Sequence, residues 1–286
     1  MTATVFDARV CALGEGALWH PQRQQLFWFD IIEQKLMTQE ESGQVEWTFD
    51  EPVSAAGWVS DTELLIASAT GLWRFDLGDG SRTILCPLEA KNSVTRSNDG
   101  RADPWGGFWI GTMGRQAQPE AGAIYRYYQG TLKTLFTDIS ISNAICFAPD
   151  RSVAYYTDTS TSRIMSVALD RNGWPAGTPQ VFVDLMPLGL NPDGAVTDAS
   201  GTLWVALWGA SKVAAFDRNG AAAGDVAIPA SQVTCPAFGG PDFETLFVTS
   251  AASGLSASET AYPSEHGKVF ASAGVARGLP EPRVLL

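Results

Sequence analysis

Four side chains with oxygen donors stand at one repeated place in this 286-residue sequence. Glu15, Asn98, Asn143 and Asp193 each lie ten or eleven residues ahead of the first apolar residue of a short run, at Leu26, Phe108, Ala154 and Leu203 respectively. Each is set among glycine or turn residues: Gly14-Glu15-Gly16, Asn98-Asp99-Gly100, Ser142-Asn143-Ala144 and Pro192-Asp193-Gly194. Carboxylate and amide oxygens brought to one axis make a site for a hard cation. Two carboxylates alone in a narrow space repel each other, and the pKa of one rises sharply. A divalent ion removes that conflict, because Glu15 and Asp193 together match its charge. A single Asn or Asp beside glycine is most often a turn former. Four such residues in one register, one of them a Glu, point instead to a metal centre. An ion held by three oxygen ligands keeps positions open for water or substrate, as in a catalytic rather than a closed structural site. The register does not by itself separate an ion ligand from a substrate contact.

The elements that must bring these residues together are short strands. Six turn-plus-apolar-run units recur: Gln25–Asp30, Glu63–Ala67, Gly107–Thr112, Val153–Asp158, Thr202–Ala206 and Thr245–Thr249. Their first apolar residues fall at 26, 64, 108, 154, 203 and 246, so the repeat is 38 to 49 residues long. That is the size of a β-propeller blade of three or four strands. No stretch holds a helical apolar period, while 28 glycines and 16 prolines punctuate the chain, an all-β signature. The expected architecture is an all-β, six-bladed β-propeller forming a single domain over residues 1–286, with a metal in its central channel. Thr4–Val10 and Arg283–Leu286 are the segments expected to close the ring. The remaining two blades place Val53 or Ser54, and Cys235 or Pro236, at the channel register.

Composition excludes several classes. Lys plus Arg is 19 against 31 Asp plus Glu, a net charge of −12, which disfavours nucleic acid or an anionic membrane as partner. Apolar runs such as Leu64–Ala67 are far short of a membrane span of ~20 residues. Met1–Arg9 shows no secretory signal. Cys11, Cys86, Cys146 and Cys235 are widely spaced without a Cys-x-x-Cys, which fits reduced thiols in a cytoplasmic protein. There is no Gly-x-Ser-x-Gly elbow, and Gly14-Glu15-Gly16 lacks the setting of a dinucleotide loop. His20 and His266 are expected to be exposed structural residues. Trp28, Trp109 and Trp204 fall in the repeated strands and are expected between blades. Trp208, just past such a strand, is a candidate for the channel mouth. Cys146 reads as core.

Leu13-Gly14-Glu15-Gly16-Ala17-Leu18-Trp19, Phe29-Asp30-Ile31, Arg96-Ser97-Asn98-Asp99-Gly100-Arg101-Ala102-Asp103-Pro104, Gly111-Thr112-Met113, Ser142-Asn143-Ala144, Pro192-Asp193-Gly194 and Leu203-Trp204-Val205-Ala206 resemble the senescence-marker-protein/gluconolactonase (regucalcin-like) family. The likeness runs in order over nearly the whole chain. It implies a six-bladed propeller with one divalent metal ion (Ca, Zn, Mg, Mn or Fe(II)) and metal-dependent hydrolysis of a sugar (aldono-) lactone to the sugar acid. The family's metal ligands would fall on Glu15, Asn143 and Asp193, and its sugar contacts on Arg96 and Asn98. Some relatives carry a substrate-contacting Glu three residues after Gly-Thr-Met. Here that position is Gln116, with Glu120 nearby as a replacement. On this reading the metal polarises the lactone carbonyl, Asp193 activates water, and Arg96 and Asn98 stabilise developing charge. The partner is a small-molecule sugar lactone, and the sequence sets no oligomeric state. A non-enzymatic calcium-binding regulatory propeller would use the same ligands. A phosphotriester or acyl-lactone hydrolase would want a more apolar pocket than Arg96, Asn98 and Gln116 suggest.

Overall fold

Runs such as Gln25–Asp30 are apolar nearly throughout because both faces of the strand are covered: Phe27, Trp28 and Phe29 are all inaccessible to solvent. The computed structural model describes residues 1–255 and 265–286. It shows six four-stranded antiparallel sheets arranged as the blades of a propeller. Helical structure among the described residues is limited to two 3₁₀ turns, Thr159–Thr161 and Met186–Leu188. The innermost strands are Gly14–His20 in blade 1, Val53–Trp58 in blade 2, Thr95–Ala102 in blade 3, Ser142–Phe147 in blade 4, Asn191–Thr197 in blade 5 and Val233–Gly239 in blade 6. Outer strands such as Gly43–Thr48 have water on one side, and their burial alternates along the chain.

The apolar core is divided into wedges between neighbouring blades. Leu18, Phe27, Phe29 and Leu36 of blade 1 pack on Ala56, Leu64, Ile66 and Phe75 of blade 2. Trp109 lies in the wedge between blades 3 and 4, and Trp204 between blades 5 and 6. Trp28 lies between blades 6 and 1, where Trp19 stacks on Phe247 at 5.3 Å. These tryptophans occupy the interblade positions expected of them. The ring is closed by Thr4–Asp7, which pairs with Val269–Ala273 as the outermost strand of blade 6.

Two expectations need correction. Arg283–Leu286 adds no strand to the ring. It runs across the far end of the channel, where Val284 N–H donates to Trp58 O and Leu285 N–H to Gly106 O. His20 is fully buried rather than exposed, with Nε2 2.8 Å from Ser60 O and Nδ1 accepting from Arg23 N–H. Its burial lowers its pKa below 6.5. The ring bridges two blades, a role that a turn-adjacent histidine does not advertise in sequence.

All six innermost strands carry a β-bulge near their start: Glu15/Leu18, Val53/Ala55, Ser97/Gly100, Asn143/Cys146, Pro192/Ala195 and Val233/Pro236. A bulge breaks the two-residue alternation and re-aims a side chain. The repeated register of polar residues is this bulge seen in sequence. Glu15 and Asn143, eleven residues ahead of their landmarks, are the last paired residues before it. Asn98 and Asp193, ten ahead, lie within it. The backbone just after Glu15 and Asn143 is left-handed, with φ of 57° at Gly16 and 54° at Ala144. At Gly16 a Cβ would also collide with Ser54 O and the Phe29 ring. Gly16→Ala is therefore expected to destabilise the protein by about 2–4 kcal/mol, from overpacking and left-handed strain together, whereas Ala144→Gly should be neutral or slightly stabilising. Urea denaturation of the two variants checks the pair.

Candidate metal centre and substrate cavity

A cavity of about 400 Å³ opens at the end of the channel where the innermost strands begin. Blade 1 contributes Leu13 and Glu15, and blade 3 Arg96, Asn98 and Met113. Blade 4 contributes Ile141, Asn143, Thr159 and Ser160, and blade 5 Asn191, Asp193 and Trp208. The segments leading into two of these strands are pinned alike. Asp30 accepts from Ala12 N–H at 2.7 Å and Leu13 N–H at 3.1 Å, just ahead of Glu15. Asp158 accepts from Ser140 N–H at 2.8 Å and Ile141 N–H at 3.1 Å, just ahead of Asn143. Each carboxylate satisfies backbone donors that the inter-blade crossing would otherwise leave unpaired.

A hydrogen-bond chain sets the amide orientations across three blades. Arg96 Nη1 donates to Asn98 Oδ1 at 2.7 Å and to Ser97 O at 2.8 Å. Asn98 Nδ2 donates to Ser142 O at 2.9 Å and to Asn143 Oδ1 at 3.0 Å. Asn143 Nδ2 donates to Thr159 Oγ1 at 2.9 Å, and the Thr159 hydroxyl donates to Pro192 O at 2.7 Å, beside Asp193. Because the Asn143 NH₂ is committed to Thr159, its carbonyl oxygen is the atom left to act as a ligand.

Glu15 and Asp193 are both almost wholly buried. Burial, then mutual repulsion with neighbouring carboxylates, raises Asp193 well above 3.8. Burial followed by the charge of Asp99 raises Glu15 from 4.5 to about 8. Glu15 Oε2 accepts only a 3.2 Å bond from Gly16 N–H, and Asp193 Oδ1 is buried without a partner. Asp99, also buried, accepts from Ile145 N–H at 2.7 Å and is raised by burial from 3.8 to about 6. Burial pulls the Arg96 guanidinium down from 12.5 to about 10, which leaves it charged at neutral pH. Among the described residues no group of three or more His, Cys, Asp or Glu could hold an ion. The donors here are two carboxylates and an amide, an all-oxygen set with an orphaned carboxylate oxygen, and it fits a hard divalent cation.

Glu15, Arg96, Asn98, Asn143 and Asp193 thus meet in one cavity, with Trp208 at its wall. Gln116 and Glu120 do not line it. Both sit in an exposed loop, Gln116 N–H bonded to Gln118 Oε1 and Glu120 N–H to Ser140 Oγ. Cys235 shares the bulge register but is buried outside the cavity wall, and Cys146 is core. Sequence reasoning missed Thr159, Asn191 and the buried Asp99. Asp99 was within reach, since a bulge presents two successive residues. Thr159 and Asn191 carry no signal until the blades are assembled.

A family model described as the SMP-30/gluconolactonase/LRE-like region matches residues 13–252. The chain is 34% identical to the L-arabinolactonase of Azospirillum brasilense, over 90% of this chain and 87% of that protein. It is 31% identical to the 6-deoxy-6-sulfogluconolactonase of Pseudomonas putida, covering 94% of each. Its structure matches that of a calcium-binding protein, regucalcin, from Agrobacterium tumefaciens with a TM-score of 0.96. That match has 39% identity and covers 100% of this chain and 98% of the other.

Two outcomes are expected of the carboxylate pair and its support. Glu15, raised from 4.5 to about 8, and the raised Asp193 favour the folded state while protonated. That contribution is full below the unfolded values and is lost as pH rises through about 8. Chelator-treated protein should therefore unfold at lower urea at about pH 9 than at about pH 5, and Glu15→Gln should flatten the difference. Thr159→Val should weaken divalent-ion affinity by about 10- to 100-fold, measured by calorimetry, by releasing the Asn143 amide.

Proposed function

The chain belongs to the SMP-30/gluconolactonase/LRE-like family, and from that premise we propose that it is a metal-dependent hydrolase opening a sugar lactone to the sugar acid. The observation that carries the reading is the buried, under-satisfied Glu15–Asp193 pair beside Arg96 and Asn98 in one open cavity. Relatives named as lactonases cover nearly the whole chain. Glu15, Asn143 and Asp193 are the proposed ligands of one divalent ion, which when bound supplies Lewis-acid polarisation of the lactone carbonyl. The cavity volume of about 400 Å³ suits a single five- or six-carbon sugar lactone.

The remaining steps belong to the chain's own groups. Arg96 and Asn98 hold substrate oxygens and oppose the negative charge that grows on the carbonyl oxygen. Asp193 accepts the proton of the attacking water through the oxygen that has no protein partner. Water oxygen bonds to the carbonyl carbon, the ring C–O bond breaks, and that proton ends on the released hydroxyl. Among the described residues the cavity is lined by no carboxylate, histidine or cysteine beyond Glu15 and Asp193; with Glu15 assigned to the ion, Asp193 serves as both acceptor and donor. Gln116 and Glu120 lie outside the wall and would reach substrate only through a different loop position. Among the described residues no helix is long and apolar enough to cross a membrane. Four free cysteines support a cytoplasmic setting.

Hydrolysis of aldonolactones followed by acid release, on chelator-stripped protein with single divalent ions restored, tests the proposal. Turnover should require the ion and should fall about 10²- to 10⁴-fold in Asp193→Asn. A calcium-binding regulator, the reading suggested by the regucalcin neighbour, would bind the ion and hydrolyse nothing.

A further inference from the structure

The polar floor of the cavity is shared among blades 1, 3, 4 and 5, but one wall is built differently. Trp208 ends the second strand of blade 5, and its cross-strand partner is Asn191. Residues directly opposite on an antiparallel pair hold their Cβ atoms about 4.5–5.5 Å apart, and both side chains line the cavity. The backbone beneath them is fixed on a second side as well: Trp208 bridges to Gln232, and Gly209 N–H donates to Ser231 O.

Each of the other nine tryptophans has a partner for its ring or its N–H. Trp19, Trp47, Trp109, Trp174 and Trp204 pack on a phenyl or phenol ring, Trp58 on His20, and Trp28 beneath Arg9, while Trp73 donates its N–H to Ser68 Oγ and Trp105 to Arg171 O. Trp208 is half-buried, and among the described residues no ring or cation lies over it and nothing accepts its N–H. Asn191 is exposed to the cavity, and its amide has no bonding partner among the described residues. Leu13, Met113 and Ile141, the remaining apolar lining residues, offer narrow aliphatic surface rather than a flat plate.

We propose that Trp208 and Asn191 form the surface that reads the sugar: the indole face stacks on a C–H face of the lactone ring, and the Asn191 amide takes a ring hydroxyl. This inference rests on the lactonase reading and deepens it. A polyhydroxylated ring has two faces whose C–H content depends on configuration, while its hydroxyls project outward to donors and acceptors. An aromatic plate with an amide at its edge discriminates between epimers by the C–H face it covers, a criterion that the polar floor of Arg96, Asn98 and the carboxylates cannot apply, because those groups address substrate oxygens. Trp208 and Asn191 are in this sense specificity residues, remote from the bond that breaks.

The test has two independent readouts. In kinetics on a panel of epimeric aldonolactones, Trp208→Ala should raise KM about tenfold while kcat and divalent-ion affinity change little, and Trp208→Phe should recover part of the loss. Asn191→Ala should raise KM for some epimers and not for others. In calorimetry, an anhydroalditol, which keeps the ring and hydroxyls but has no ester, should bind the ion-loaded wild type and bind Trp208→Ala about tenfold more weakly. Wild-type binding of the anhydroalditol without turnover of any lactone would remove the hydrolase and keep the sugar-reading wall. Turnover with an unchanged KM in Trp208→Ala, a joint loss of kcat and ion affinity, or no anhydroalditol binding by the wild type would each overturn the wall.

Discussion

Two like charges cannot be buried side by side without a counter-charge, and Glu15 and Asp193 are placed so that they must meet this constraint. Each lies at the head of an innermost strand, with backbone N–H groups as its main protein donors. The register positions of blades 2 and 6 are neutral. Ser54 Oγ bonds to Ser97 Oγ at 2.8 Å, and beside Cys235 in the same bulge Thr234 is held by Gly14 O and Thr249. Among the described residues, the carboxylates lining the mouth thus come from blades 1 and 5, Asp99 lies off the cavity wall, and Arg96 is the one cation lining the cavity. A divalent ion between the two carboxylates would leave Arg96 as the net charge of the cavity, suited to a neutral ester whose carbonyl oxygen becomes negative in the transition state.

The propeller supplies the rigidity this arrangement requires. The wedges between blades fix the innermost strands from both sides, and the bulges convert six similar strands into a ring of individually aimed side chains. Closure by Thr4–Asp7 matters for the same reason. The wedge between blades 6 and 1 contains Trp19 and Trp28, and Glu15 lies on the strand that carries Trp19. A ring open at that seam would loosen Glu15 along with the core.

Much of this was legible because repetition makes geometry visible in a linear sequence. The six apolar runs gave the blades, and the offsets of Glu15, Asn98, Asn143 and Asp193 mark bulges that the structure shows at those places. What could not be read arises from contacts between distant segments. Thr159 orients Asn143 from the turn after the next strand. Asn191 meets Trp208 only when hairpin register is set. His20 was misjudged because its partner, Ser60 O, belongs to the next blade. Arg283–Leu286 was misjudged because a terminal apolar segment can cover a channel as readily as it can extend a sheet.

That last difference bears on how the cavity is reached. Three residues beyond Asn98, Arg101 turns its guanidinium into the channel, donating to Ala195 O at 3.1 Å and Pro236 O at 3.4 Å and pairing with Glu281. Both partners of the ion pair are buried, so each charge depends on the other, and removing one would strand its mate in a low-dielectric setting. Glu281 is held in turn because Trp58 Nε1 donates to its carbonyl at 2.7 Å. The basin below this pair, of about 620 Å³, shares no lining residue with the cavity above. Blade 3 therefore divides the channel within one strand: Arg96 and Asn98 face the open mouth, and Arg101 ties the segment around Glu281 across the other end. On the proposed function, substrate and ion would then enter by the same mouth, past Trp208 and Asn191.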